Sequence, residues 1–438
     1  MATGRFDFTW FYVATAQCLR DSPTASPATG SYWVDMAKGS RARRSPWIGP
    51  VLLLTTASCG RIGFEPFASG GDGGTDGGDG GGDAVDAMAC ADPLMFAPQV
   101  SYPSGNSPTA VAVGNLDGTP GPDIVSANVL GANVVVRRNN GDGTFGPATG
   151  YPTGSQPIAV AIADVDQLLG PDLVVANQAS DTISVLLNLG NGTFAPQVTY
   201  PAGGLDPYAV AIGKLNADAA LDLAVVNYGS NTVSVLLNNG NGTFAAAVTY
   251  PTGMQPLSVA ISPFDGGGSR DLVVANYASN TVSVLLNSGD GTFGGQMIYA
   301  IGSSPWSVGA ADLDGDTLPD VVATNSGDAT ASVLINTGAG AFAPQVTYPT
   351  GANPHGLAIA DLDLDGTRDV VVGNAAAATA GVLLNRGGAV FAAQLPFATE
   401  TNPNGVAIAD LNNDVAPDLV VANATTGTIS VLIAICLP

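Results

Sequence analysis

From about residue 94 onward, the chain repeats one pattern of apolar and polar positions every 49 residues or so. In residues 157–205, taken as the type unit, positions 158–163 (IAVAIA) alternate small Ala159, Ala161 and Ala163 with branched Val160 and Ile162. That period predicts a strand, and a face restricted to small residues suits strands crowded around a common axis. The other copies keep the small face as Ala110/Ala112, Ala209/Ala211, Ser258/Ala260, Ser307/Gly309, Gly356/Ala358 and Gly405/Ala407. Residues 172–177 (DLVVAN) are apolar almost throughout, as a strand covered on both faces should be. A third strand is expected at 182–188 (TISVLLN), then a Gly/Asn turn (LGNGTF, 189–194) and a fourth strand at 197–201 (QVTYP).

The second strand recurs as DIVSAN, DLVVAN, DLAVVN, DLVVAN, DVVATN, DVVVGN and DLVVAN, ending at Asn128, Asn177, Asn227, Asn276, Asn325, Asn374 and Asn423. Seven copies of four strands at this period predict an all-β fold, a seven-bladed β-propeller of four-stranded antiparallel blades. The first recognisable segment, FAPQVSYPSG at 96–105, is a lone fourth strand, and the last copy stops after its third strand, TISVL at 428–432. The N-terminal strand is therefore expected to complete the last blade. A solenoid would need capping repeats, and closing the ring removes exposed strand edges.

Charge narrows the range of partners. The formal net charge is −23, with lysine only at positions 38 and 214, and such a surface repels nucleic acid and anionic membranes. The leading residues read as targeting. A basic stretch (38–44, KGSRARR) precedes an apolar run (47–58) and Cys59. That run is shorter than a spanning helix, and the TASC junction resembles a lipoprotein cleavage site with Cys59 lipidated. Residues 1–35 are expected to be an artefactual or disordered extension ahead of a start at Met36. Residues 36–58 then form the signal peptide, 59–93 a flexible Gly/Asp-rich linker, and 94–438 the propeller. Cys90 lies just before the closing strand and Cys436 just after the last third strand. A Cys90–Cys436 disulfide would staple the closure, a loop worth ~5 kcal/mol in a chain-entropy account.

Between first and second strands lies an acidic loop. The fifth copy has Asp312, Asp314, Asp316 and Asp320; the sixth Asp361, Asp363, Asp365 and Asp369; the seventh Asp410, Asn412, Asp414 and Asp418. Oxygen ligands at loop positions 1, 3, 5 and 9, with the carbonyl at 7, converge when the loop curls, and hard oxygens in a flexible loop select Ca²⁺. The first copy has Thr119 and the second Leu168 at position 5, leaving both open. The third has Lys214 at position 1, and the fourth keeps little beyond Asp265 and Asp271, so neither is expected to bind metal.

These loops, the NGDGTF turn at 140–145 and the FGPA that ends it resemble FG-GAP/VCBS repeats, the units of integrin α-subunit propellers and many bacterial surface proteins. The resemblance covers residues 94–438. It implies that metal steadies loops on one face while partners dock on the other, and it does not choose among adhesins, lectins and enzyme-linked domains.

One first-strand position varies among uniform neighbours: Thr109, Ile158, Tyr208, Leu257, Trp306, His355 and Asn404. These residues are expected either to ring the mouth of an axial channel, with Tyr208, Trp306, His355 and Asn404 contacting a ligand, or to mark a loosely constrained packing position. His355 is the only histidine, so a histidine-based catalytic pair or zinc site is not expected. The expected protein is a non-catalytic, Ca²⁺-stabilised binding or adhesion propeller. It would be monomeric and lipid-anchored at the outer membrane or cell surface, or else secreted, and would bind a protein or glycan. A carbohydrate-binding lectin is the narrower alternative, and a lyase or hydrolase on the same scaffold is the alternative of another class.

Overall fold

The computed structural model describes residues 94–435. The expected signal peptide, the Cys59 anchor, the linker and the Cys90–Cys436 pair lie outside the described residues. Seven four-stranded antiparallel sheets account for the repeats, with inner strands Pro108–Gly114, Pro157–Ala163, Pro207–Gly213, Pro256–Ser262, Pro305–Ala311, Pro354–Ala360 and Pro403–Ala409 (blades 1 to 7). Each inner strand packs against those of the blades before and after it, and blade 7 packs against blade 1. Blade 7 takes its outer strand from Val100–Pro103, which pairs antiparallel with Thr428–Leu432 in the register Val100↔Val431 and Pro103↔Thr428. The expected fold and its closure are both present.

Crowding at the axis explains the small face. A Cβ on Gly356 would lie 2.1 Å from the Asn404 carbonyl oxygen, and one on Gly405 would lie 2.8 Å from the Val111 nitrogen. Each second strand, such as Asp172–Asn177, is buried at every position. Away from the axis, the outer strand of one blade meets the 3→4 turn of the next through one aromatic pair per seam. Tyr102–Phe145, Tyr151–Phe194, Tyr200–Phe244, Tyr250–Phe293, Tyr299–Phe342 and Tyr348–Phe391 lie edge to face at centroid distances of 5.2–5.5 Å. At the blade 6–7 seam the N-terminal segment supplies the ring, with Phe96 4.8 Å from Phe397. Such pairs contribute ~0.5–1.5 kcal/mol each beyond area burial.

Of the two readings left open for the variable axial position, burial favours packing over a ligand-contacting ring. Tyr208, Trp306, His355 and Asn404 are 0%, 8%, 3% and 0% exposed. The strand register breaks directly after each opening proline, as between Pro207 and Ala209. The variable side chain therefore sits at a bulge, where seven neighbours crowd together. Trp306 stacks on His355 at 4.0 Å, His355 Nδ1 lies 2.9 Å from Asn404 Oδ1, and the Thr109 hydroxyl donates to the Ile158 carbonyl at 3.1 Å. Tyr208 stacks on Tyr228 at 5.4 Å. These residues are buried against one another and against neighbouring strands.

Candidate functional site

The 1→2 loops and 3→4 turns lie at one end of the blades, and the 2→3 and 4→1 loops at the other. At the first end, one scheme recurs in every blade. The aspartate that opens each second strand (Asp123, Asp172, Asp222, Asp271, Asp320, Asp369, Asp418) is fully buried. Its Oδ2 accepts the backbone N–H at loop position 2, and its Oδ1 accepts the N–H sixteen residues onward. For Asp320 these donors are Leu313 at 2.9 Å and Asn336 at 2.8 Å. For Asp418 they are Leu411 at 2.8 Å and Ala434 at 2.7 Å. Position 9 is thus a clasp between the base of the loop and the end of the third strand. This role explains why the aspartate is present even in blades 3 and 4, whose loops are degraded.

Asparagine ties six of the seven loops to the next blade. Asn385 Nδ2 of blade 6 donates at 2.8 Å to the Leu313 carbonyl in the blade 5 loop, and Asn188, Asn238, Asn287 and Asn336 do the same to Leu116, Val165, Leu215 and Phe264. Asn139 closes the circle by donating to Leu411 of blade 7 at 2.8 Å. The sequence places this residue at the end of the expected third strand (182–188 in the type unit) and assigns it no role. Its signal was its recurrence at one place, after the third strand, as LLN in blades 2, 3, 4 and 6, LIN in blade 5 and RRN in blade 1. Blade 7 has Ala434 at that place.

The outer part of the loops holds the remaining carboxylates. Asp312, Asp314 and Asp316 bring one oxygen each within 4.8 Å of one another, as do Asp361, Asp363 and Asp365, without Asp320 or Asp369 in either group. Backbone amides curl the blade 5 loop inward, with Gly315 and Thr317 donating to Asp312 at 2.8 and 2.9 Å. In blade 6, Asp363 is only 8% exposed, and among the described residues no donor reaches its Oδ1 or that of Asp361, both buried. Burial, with Asp365 and Asp361 alongside, pushes the Asp363 carboxyl above its ordinary value. Acceptor oxygens buried without donors at this separation fit a hard cation with oxygen ligands, and Ca²⁺ is the ion suited to a flexible multi-carboxylate loop.

Blade 7 is tied differently. Asn412 Nδ2 donates to Asp414 Oδ2 at 2.9 Å, and Asp410 accepts the amides of Asp414 and Val415 at 3.1 and 2.9 Å. Blade 2, left open by its sequence, brings Asp164, Asp166 and Asp172 within 4.8 Å of one another. There the position-9 clasp joins the group in place of position 5, where Leu168 is exposed. In blade 1 the loop closes on itself, Asn115 donating to the Thr119 carbonyl at 2.7 Å and accepting from Gly118 at 2.7 Å, with Arg138 3.9 Å from Asp117.

Burial pushes the Asp172, Asp271 and Asp320 carboxyls up to about 6 and those of Asp369 and Asp418 to about 7, partly offset by the amides they accept. The unfolded chain releases these protons near ~4. Between that value and about 7 the folded state therefore holds more protons, and stability falls as pH rises. Without divalent cations the Tm is expected to be higher at about pH 5 than at about pH 7.5 by calorimetry. A Tm that climbs over that interval would contradict the assignment.

Four overlapping matches to the FG-GAP-like repeat family span residues 214–274, 264–323, 312–372 and 361–421. No curated protein matches the chain. Among solved structures, BBS1N in complex with ARL6DN is similar with a TM-score of 0.56 at 14% identity, over 77% of this chain and 96% of that one. A virginiamycin B lyase from Staphylococcus aureus is similar with a TM-score of 0.54 at 14% identity, over 78% of this chain and 100% of that one. An Agrocybe aegerita lectin described as recognising non-reducing terminal N-acetylglucosamine has a TM-score of 0.51 at 22% identity, over 68% of this chain and 81% of that one. At these identities the likeness is one of fold. The chain is a seven-bladed β-propeller containing FG-GAP-like repeats, matched from blade 3 into blade 7.

Proposed function

We propose that this propeller is a non-catalytic binding module: Ca²⁺ steadies the acidic-loop face, and the opposite face meets a protein or glycan at the cell surface. The observation that carries this reading is the contrast between the two faces. On the acidic-loop face every blade repeats the aspartate clasp. On the other, the residue after the strand-ending asparagine takes five identities over the seven blades: Val129, Gln178, Tyr228, Tyr277, Ser326, Ala375 and Ala424. A scaffold held constant beneath variable loops is the usual arrangement of a recognition surface.

Catalysis finds little support in the described residues. His355 is buried beneath Trp306 and bonded to Asn404, and burial lowers its pKa to about 4, so it is neutral at physiological pH and out of a substrate's reach. The similar structures include one propeller in complex with a protein and one lectin. Export and lipid attachment at Cys59 belong to the proposal through the sequence of residues 38–59. Immobilised, Ca²⁺-loaded protein is expected to retain a member of a surface-protein array or a glycan array and to release it in chelator. Silence on both arrays, or turnover of an arrayed glycan, overturns the reading.

A further inference from the structure

On the variable face, blades 2 to 5 use their own side chains to cap the amides of the 4→1 loops. The N–H groups of Ser155, Leu205 and Met254 donate to the hydroxyls of Ser180, Ser230 and Ser279 at 2.9, 2.8 and 2.7 Å. Ser303 donates to Asp328 Oδ2 in the same manner. One residue further on, Asp206, Gln255 and Ser304 donate to side-chain oxygens of the preceding blade, namely Asp181, Asn231 and Asn280, at 2.8, 2.7 and 2.8 Å.

The seam where the ring closes lacks both caps. The residues at the cap positions there are Gly131 and Gly427, which have no side chain to offer. The equivalent amides of Asn106 and Ser107 have no hydrogen-bond partner among the described residues, and neither does that of Asn402, whose cap position is Ala378. The loop conformation is nevertheless retained, with φ of 59° at Ser107 and 63° at Asn402 against 53° at Asp206, Gln255 and Ser304. A cavity of about 840 Å³ opens at this seam, bordered by Asn106, Ser107, Asn402, Thr425 and Thr426, with Val129 and Leu130 among its apolar lining. None of its lining residues is ionisable.

We infer that this cavity takes a side-chain carboxylate or carboxamide from a partner polypeptide, whose oxygen caps in trans the amides that Asp181, Asn231 and Asn280 cap in cis elsewhere. The internal caps show the chemistry these amides accept, since paired backbone N–H groups hold an anionic or carbonyl oxygen. The volume exceeds a lone carboxylate, and Leu130, 71% exposed, offers apolar contact to the residues flanking it. This inference rests on the binding-module reading and names its site and the group it recognises.

The test titrates Ca²⁺-loaded protein with blocked Gly-rich pentapeptides centred on Asn, Asp or Ala, followed by backbone amide NMR. The Asn106, Ser107 and Asn402 signals are expected to move with the Asn or Asp peptide and not with the Ala peptide. Salt separates the two sources: affinity for the Asp peptide should rise as salt screens the negative surface, and affinity for the Asn peptide should stay flat. Gly131→Ser installs the hydroxyl of blades 2 to 4, and Val129→Tyr installs the side chain of blades 3 and 4. Either closure, in protein that keeps its folded spectrum, should weaken the response by about tenfold or more. No shift with either peptide, or an equal shift with the Ala peptide, overturns the inference. Array partners held equally by Gly131→Ser would leave the binding function standing and remove this cavity from it. Peptide shifts alongside silent arrays would count against the wider reading alone.

Discussion

Asp320→Ala is expected to lower the unfolding free energy by about 2–6 kcal/mol, because it strands two buried donors worth ~1–3 kcal/mol each. Those donors are the Leu313 and Asn336 amides, in a site with no solvent access. Asp320→Asn keeps one acceptor oxygen and should fall between wild type and alanine. Asp316→Ala, at an exposed position four residues earlier, should change stability in chelator by less than ~0.5 kcal/mol. Urea unfolding of the three variants in chelator gives the comparison. Equal losses for Asp320→Ala and Asp316→Ala would remove the clasp from the account.

Calcium should produce the second large effect. At about 10 mM Ca²⁺, sites with Kd of ~10⁻⁴–10⁻³ M would each add roughly 1.4–2.7 kcal/mol. The three clusters, in blades 2, 5 and 6, are separate contributors. Mg²⁺, which demands tighter octahedral geometry, should add less. The double variant Asp361→Asn/Asp363→Asn gives effects of opposite sign. It should lose one site's increment in Ca²⁺, yet be more stable than wild type in chelator, because two crowded carboxylates are gone. Thermal shifts at millimolar Ca²⁺ measure both arms. An unchanged Tm across that range, or a variant weakened equally in both media, would count against cation binding at blade 6.

The fold was legible because its code is redundant. Strand alternation, a fixed period and an unpaired outer strand at 96–105 all pointed to the same ring, and no single residue had to be read correctly. The site was legible only in part. Asp312, Asp314 and Asp316 could be found by spacing, since a tight loop brings alternate residues together. Asp320, Asp369 and Asp418 look identical in a sequence, and only their burial and two amide donors mark them as clasps. The blade 2 cluster was obscured because Leu168 breaks the spacing while Asp172 folds back to complete the group. The variable axial position stayed open for a related reason. Variation was compatible with an exposed ring or with packing, and the bulge after each proline, which decides between them, leaves no trace in composition.

Ala434 has a consequence for how the ring comes apart. Six asparagines fasten six of the seven acidic loops to the blade that follows, and among the described residues the loop of blade 6 alone goes without such a strap. The same seam relies on Phe96 from the opposite end of the polypeptide for its aromatic pair. A wheel of equal spokes would have no preferred place to break. Here the rim has a buckle, so local opening is expected first at the sector that joins the leading strand to the last blade, away from the acidic clusters of blades 2 and 5.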